Sequence, residues 1–293
     1  FKGPFTISHY QRNFFRPSFA QQVEWSFPLD YKTLHFHAPI PETKVLMELI
    51  DQKKPTFIYS LHNAGFGGCY WYLTEGDEAL YKELYRQPAL EKVPLSLGEP
   101  EAPYCEEFYP GVYRMLGVKA HYDYLEKFVP DKDPATMITS GTSSDEYANR
   151  EGKIISRALV NEMPYFYDQR IDDTTPSDMI RREAVLINCD QTEAFFAALT
   201  PLYERAKPLI RTWNPFFISV EDRMAGSSAG NMDAKRQWAM APEFEEKATV
   251  AQKFENLYGL GFYRNLSVCL LWRACTYELE HGTDMSDEVR AEL

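Results

Sequence analysis

Two short apolar runs constrain the fold of this chain more than any other feature of its sequence. The first covers residues 56–61 and follows an amphipathic helix predicted at residues 42–51, and the second covers residues 154–160. Runs of this length, rich in β-branched and aromatic side chains, are typical of buried strands. A helix directly before such a strand is typical of an α/β sheet. The sequence therefore predicts an α/β fold.

Each run ends close to a side chain that can do acid–base or metal chemistry. His62 directly follows the first run among small residues that leave room for a ligand, and Glu162 lies just past the second. In open α/β sheets ligands bind beyond the carboxyl ends of the strands, and partial burial raises a carboxyl pKa, which suits a general base. Structural roles are equally open: a core histidine, and a glutamate paired with Arg157 or Arg170.

The second half of the chain has a different character from the first. Its pattern predicts helices at residues 192–210, 243–258 and 261–281. We therefore predict two units, an α/β core over residues 1–212 and a helical extension over residues 213–293.

The composition excludes some classes of partner. Lys and Arg total 31 against 43 Asp and Glu, a formal net charge of −12. This balance disfavours a surface that tracks nucleic-acid phosphates and adsorption to anionic lipid, so we expect neither nucleic acid nor a membrane as a partner. The five cysteines are scattered and form no Cys-x-x-Cys pair. They slightly favour reduced thiols in a cytoplasmic compartment.

Two further histidines are candidate metal ligands. His35 and His37 are two residues apart, which would place both imidazoles on one face of a strand. A solvent-exposed strand edge without a metal is the alternative. The sequence contains no Gly-x-Ser-x-Gly elbow and no phosphate-binding glycine loop.

Several motifs, taken in order, resemble those of the zinc carboxypeptidase family. Residues 56–63 resemble the family's Ser-x-His strand end, whose histidine is the third zinc ligand, and this implies that His62 binds zinc. Residues 11–14 resemble its Asn-Arg-Asn-aromatic motif, in which the first Asn and the Arg bind the substrate's terminal carboxylate. The resemblance thus implies substrate binding by Arg12, assisted by Gln11, which replaces the Asn.

Two downstream segments extend this resemblance. Residues 139–145 resemble the specificity-pocket segment, and residues 158–162 resemble the strand that ends in the catalytic glutamate. The resemblance therefore implies that Glu162 is the catalytic residue and that Asp145 and Tyr147 line the substrate pocket.

The resemblance spans residues 8–210 and implies a three-layer α/β/α fold with a mixed, mostly parallel sheet. It also implies one Zn²⁺ ion, whose first two protein ligands come in the family from a His-x-x-Glu that this sequence does not contain. We therefore expect an N-terminally truncated member, with an incomplete core and the two missing ligands upstream of Phe1. The family also has a mobile tyrosine shortly before the specificity-pocket segment, and the nearby position in this sequence is Met137. Tyr147 is the candidate replacement for that tyrosine.

The function implied for the intact protein is zinc-dependent hydrolysis of a C-terminal peptide or amide bond. The substrate would be a peptide or small amide with a free carboxylate, and Glu162 would take a proton from the attacking water and pass it to the leaving amine. We expect the chain to be inactive by itself. One alternative is a non-catalytic, carboxypeptidase-like binding module without metal. Another is an α/β enzyme of a different type, which would require His62 and Glu162 to lie far apart.

Overall fold

A computed structural model describes residues 5–226, 229–283 and 285–293 and shows an α/β fold. Phe1, to which the predicted truncation refers, lies outside the described residues. The strands are β1 (Leu29–Tyr31), β2 (Leu34–Phe36), β3 (Phe57–Phe66), β4 (Tyr70–Leu73), β5 (Glu107–Tyr109), β6 (Val112–Arg114), β7 (Arg157–Phe166), β8 (Pro176–Ile180) and β9 (Lys247–Thr249). The helices are α1 (Ile7–Asn13), α2 (Pro41–Lys53), α3 (Glu78–Glu91), α4 (Val118–Phe128), α5 (Ser144–Ala148), α6 (Arg181–Ala206), α7 (Pro215–Gly226), α8 (Ala229–Trp238), α9 (Val250–Phe254), α10 (Leu260–His281) and α11 (Asp287–Glu292).

The main sheet of the described residues has the strand order β3-β7-β4-β6-β5. β3 is parallel to β7 and β4 to β6, whereas β4 is antiparallel to β7 and β5 to β6. The sheet is therefore mixed, but the expectation of a mostly parallel sheet is wrong. The reason is two short connections, of three residues from β3 to β4 and of two residues from β5 to β6. A connection that short reverses the chain, whereas parallel strands need a long crossover.

Both strands predicted from the apolar runs are present and continue further than predicted, although β7 begins at Arg157, three residues after the start of its run. β3 continues through His62 to Phe66, and β7 continues through Glu162 to Phe166. β7 lies between β3 and β4, so its backbone is paired on both sides as far as Glu162 and with β3 alone beyond that residue. Glu162 consequently lies within a strand and not beyond its end.

Alternation along β4 places different side chains on the two faces of the sheet. Trp71 and Leu73 pack against Tyr81 and Leu84 of α3 on one face. Tyr72 lies on the other face, in a cluster of buried residues with Tyr113 and Val160. This second face also carries Glu162, because side chains two residues apart on a strand point the same way.

A small hairpin lies apart from the main sheet. β1 pairs with β2 in antiparallel fashion, and Leu29 and Leu34 are buried with Val118 and Leu125 of α4. One face of the hairpin is thus fixed to the core, while its other face is open to solvent.

Residues 213–293 pack directly onto the preceding part of the chain. The helix predicted at residues 261–281 is confirmed as α10, and α6 begins at Arg181, well before the predicted start at residue 192. The helix predicted at residues 243–258 is confirmed only in part, because that stretch also contains β9 and a π-helical turn, Glu255–Gly259. β9 pairs with β8, and α6, α7 and α10 share one apolar core. The division at residue 212 stays a prediction.

None of the described helices combines the length and the apolar character that crossing a bilayer requires.

Candidate functional site

The two residues singled out at the strand ends lie side by side. His62 of β3 and Glu162 of β7 are direct partners in the parallel register, so both side chains project from the same face of the sheet. The distance from His62 Nδ1 to Glu162 Oε1 is 3.0 Å. The Glu162 side chain is 12% exposed and that of His62 is 35% exposed. This contact removes the alternative that required the two residues to lie far apart.

The pKa values of Glu162 and His62 are both raised above their ordinary values. Burial raises the pKa of the Glu162 carboxyl, while the hydrogen bond with His62 opposes this rise. The same hydrogen bond raises the pKa of the His62 imidazole, and partial desolvation opposes it. Nδ1 of His62 faces Glu162, which leaves Nε2 as the ring nitrogen that can bind a ligand. The pair can therefore share one proton between the Glu162 carboxylate and His62 Nδ1.

A group of tyrosines and a second carboxylate adjoin the pair. Tyr70 is opposite Glu162 in the antiparallel register of β4 and β7. The hydroxyls of Tyr70 and Tyr72 donate hydrogen bonds to Glu101 Oε2 at 3.1 and 2.6 Å. The charge of Glu101 contributes to the raised pKa of Glu162. Sequence reasoning missed Glu101, whose only signal is a carboxylate within a proline-rich irregular segment.

Helix α10 supports the end of β3. The Tyr263 hydroxyl contacts the carbonyl oxygens of Ala64 and Phe66, the latter at 2.6 Å, and the Phe66 N–H donates to that hydroxyl at 3.2 Å. Gly65 has a φ of 69°, and a Cβ there would lie 3.2 Å from the ring of Phe262. The irregular end of β3, where Gly65 lies three residues past His62, therefore depends on glycine and on α10.

The arginine that acts on the pair differs from the one implied by the resemblance. Arg12 lies exposed in the last turn of α1, and Gln11 beside it is half-buried. The charge of Arg16 instead acts on both His62 and Glu162, lowering their pKa values as a minor contribution. Arg16 lies two residues after the motif at residues 11–14. This proximity is the sequence signal that could have marked Arg16 as a candidate site residue. Substrate binding by Arg12 and Gln11 stays a prediction.

The predicted pocket residues are engaged within the chain. Asp145 is 8% exposed and accepts hydrogen bonds from Thr74 and Asn149. Tyr147 is 7% exposed, and its hydroxyl donates to Asp51 at 2.8 Å. Both side chains thereby fix α5 against the core, and their role in substrate binding stays a prediction.

The segment that contains Asp145 is linked to the His62–Glu162 pair through Glu24. The Ser144 N–H and hydroxyl each donate to the Glu24 carboxylate at 3.0 Å. The Glu24 charge in turn contributes to the raised pKa of His62. Sequence reasoning missed Glu24, and no sequence pattern marks it.

Of the site residues, His62 can supply one of the protein ligands that a zinc ion needs. His62 offers one imidazole nitrogen, whereas structural zinc sites take four protein ligands and catalytic sites three. Across the described ranges, the one set of three close ligand atoms belongs to Asp30, His35 and His37, so His62 is not part of such a set.

Comparison with known proteins gives no match, whether to a protein-family model, a curated protein or a solved structure. Function is therefore inferred from the side chains of the site together with the motif resemblance.

Proposed function

We propose that this chain supplies the catalytic glutamate and one zinc ligand of a metallocarboxypeptidase-like hydrolase that cleaves a C-terminal peptide or amide bond. The observation that carries the proposal is the contact of His62 with Glu162. The two residues are 100 positions apart, each is implied by its own motif, and their side chains meet at 3.0 Å. A three-layer, carboxypeptidase-like arrangement around the mixed sheet belongs to the same proposal.

Glu162 is the proton carrier in this proposal. Its carboxyl is mostly buried and its pKa is raised by that burial, which favours accepting a proton from water and returning it to a leaving amine. The nearby His62 holds the carboxylate in place through Nδ1. A bound zinc ion would lower the pKa of a water molecule and polarise the scissile carbonyl. The two further ligands that such an ion needs would come from residues outside this sequence.

The substrate in this proposal is a peptide or small amide that ends in a free carboxylate. Arg12, with Gln11, is the binding residue that the motif implies, and Arg16 is the arginine whose charge reaches the His62–Glu162 pair. A planar guanidinium suits this role because it makes two parallel hydrogen bonds to a carboxylate.

The test combines metal analysis with a C-terminal hydrolysis assay, on this chain and on a protein extended upstream. We expect the chain by itself to be inactive and to hold no zinc that depends on His62, and the extended protein to hydrolyse and to hold one zinc ion that is lost in His62→Gln. In the extended protein, Glu162→Gln should lower kcat by about 10²- to 10⁴-fold, the usual range for a general base, with zinc content unchanged. The exposed Glu83→Gln is the matched control. Full hydrolysis by the Glu162→Gln variant would contradict the proposal.

A metal-free binding module is the second candidate. It is favoured by the position of His62, which lies outside any set of three ligand atoms within the described residues and contacts Glu162 directly. In this case the chain should bind a peptide with a free C-terminus, but not its amidated form, without added metal. Arg12→Ala and Arg16→Ala, measured separately, would show which arginine contributes. The extended protein would then show no hydrolysis.

A further inference from the structure

Three potential metal ligands meet on the exposed face of the hairpin formed by β1 and β2. Asp30 and His35 are direct cross-strand partners, and His37 lies two residues further along, on the same face as His35. His35 Nδ1 is 2.7 Å and His37 Nε2 is 3.0 Å from the same oxygen, Asp30 Oδ1. The three ligand atoms lie within 4.8 Å of one another.

The backbone of the hairpin that carries these ligands is fixed by packing on its buried face. Leu29 and Leu34 are buried in the core beneath the hairpin. At the turn, Lys32 has a φ of 52°, and its ammonium contacts Asp123 at 2.8 Å. The Tyr31 hydroxyl donates to the same carboxylate at 2.8 Å. The ligands therefore need little rearrangement to converge on an ion, which favours binding because less ordering is required.

We infer that Asp30, His35 and His37 form a surface site for a divalent first-row transition-metal ion such as Cu²⁺, Ni²⁺ or Zn²⁺. Two imidazoles and one carboxylate suit these ions, whereas Ca²⁺ and Mg²⁺ take oxygen ligands. The site is separate from the candidate active site and does not depend on the proposed hydrolase function.

Proton placement is compatible with binding. Each ring would bind the ion through the nitrogen that now faces Asp30 and would carry its proton on the other nitrogen. Water can accept the hydrogen bond from that second nitrogen, because the His35 and His37 side chains are 62% and 61% exposed. Neutral imidazole is the form that binds metal.

The test is calorimetric titration of the metal-free full chain with Ni²⁺ and with Zn²⁺, followed by electron paramagnetic resonance of the Cu²⁺ form. We expect one ion per chain and a Cu²⁺ spectrum with hyperfine splitting from two nitrogens. His35→Gln and His37→Gln should each raise Kd roughly tenfold or more, since even residues that only orient a ligand contribute about 10- to 100-fold. Asp30→Asn should also weaken binding.

Two matched variants make the result decisive. His281→Gln, which changes an exposed histidine on α10, and His62→Gln should both leave Kd unchanged. The three hairpin variants should keep the melting temperature of the wild type, because Asp30, His35 and His37 are exposed. The inference is overturned if the wild type shows no saturable binding, or if the hairpin variants bind as the wild type does. Loss of binding in His62→Gln alone would place the ion at the candidate active site and overturn it as well.

Discussion

A mostly buried carboxyl and a half-buried imidazole share one hydrogen bond at the candidate site, and each changes the proton affinity of the other. Burial raises the pKa of Glu162, and the hydrogen bond raises that of His62. Both groups therefore bind protons more strongly in the folded chain than in the unfolded chain. Their contribution to stability is fully present below the unfolded-state pKa values and is lost as the pH rises through the folded-state values.

The first prediction concerns this pair and is tested by Glu162→Gln. The substitution removes the carboxylate but leaves His62 desolvated, so the pKa of His62 should fall. An NMR titration of the imidazole measures this directly. His121 is the internal control, because burial lowers its pKa to about 4 independently of Glu162, and its titration should not change.

The same variant has an expected pH profile of stability. The free energy of unfolding of the wild type, relative to Glu162→Gln, should fall as the pH rises from about 5 to about 8, where histidines titrate. Denaturant unfolding at several pH values measures it. A difference that stays constant with pH would show that the two groups do not share a proton in the folded chain.

At the scale of elements, an irregular turn connects the C-terminal helices to the segment that carries Glu101. The π-helical turn Glu255–Gly259 lies between α9 and α10, and the Glu255 carboxylate accepts a hydrogen bond from the Glu99 N–H at 2.7 Å. Desolvation raises the pKa of Glu255 to about 7. The buried Glu99 carboxylate contacts Arg181 of α6 at 2.6 Å and Asn256 at 3.3 Å. These contacts fix three elements to one another.

The second prediction tests this connection with Arg181→Met. It leaves the Glu99 carboxylate buried without its cation, and the loss of one partner of a buried ion pair lowers the free energy of unfolding by about 3–5 kcal/mol. The control is Arg86→Met, which breaks the exposed pair with Glu83 and should cost less than about 1 kcal/mol. Denaturant unfolding of the two variants compares them. Equal effects would show that the Glu99 contact is not buried in solution.

At the scale of the whole molecule, the C-terminal segment and the α/β part share their cores. Leu270 of α10 is fully buried in the cluster that includes Leu199 of α6 and Phe14. Arg273 of α10 also donates to the carbonyl oxygens of Asn13 and Phe14, each at 2.7 Å. We therefore expect the two parts to unfold together.

The third prediction follows from this shared core. Leu270→Ala should lower the free energy of unfolding by about 3 kcal/mol, the usual cost of such a cavity. Hydrogen exchange at the β7 amides should speed up by roughly 100-fold, because each 1.4 kcal/mol is a factor of ten. Val268→Ala is the control, since Val268 is 41% exposed on the same helix, and it should change stability by less than about 0.5 kcal/mol. Unchanged protection of β7 in Leu270→Ala would show that the two parts unfold separately.

Local patterns in the sequence were sufficient for some of these features. The apolar runs located β3 and β7, the proline and glutamate at the start of α2 located that helix, and side-chain type singled out His62 and Glu162. Glu24, Glu101 and Tyr263 could not be found this way. Their roles depend on which residues lie beside them, and those neighbours are distant in the sequence.

The sequence by itself therefore determined the α/β class, the positions of its main strands and the two residues at the centre of the candidate site. These depend on the periodicity and chemistry of short segments, which are properties of neighbouring residues. Only the tertiary structure decided that β7 lies between β3 and β4, that His62 meets Glu162, and that Asp145 is turned into the core. Strand order and side-chain contacts are set by long-range packing, in which many weak contacts between distant segments are satisfied at once.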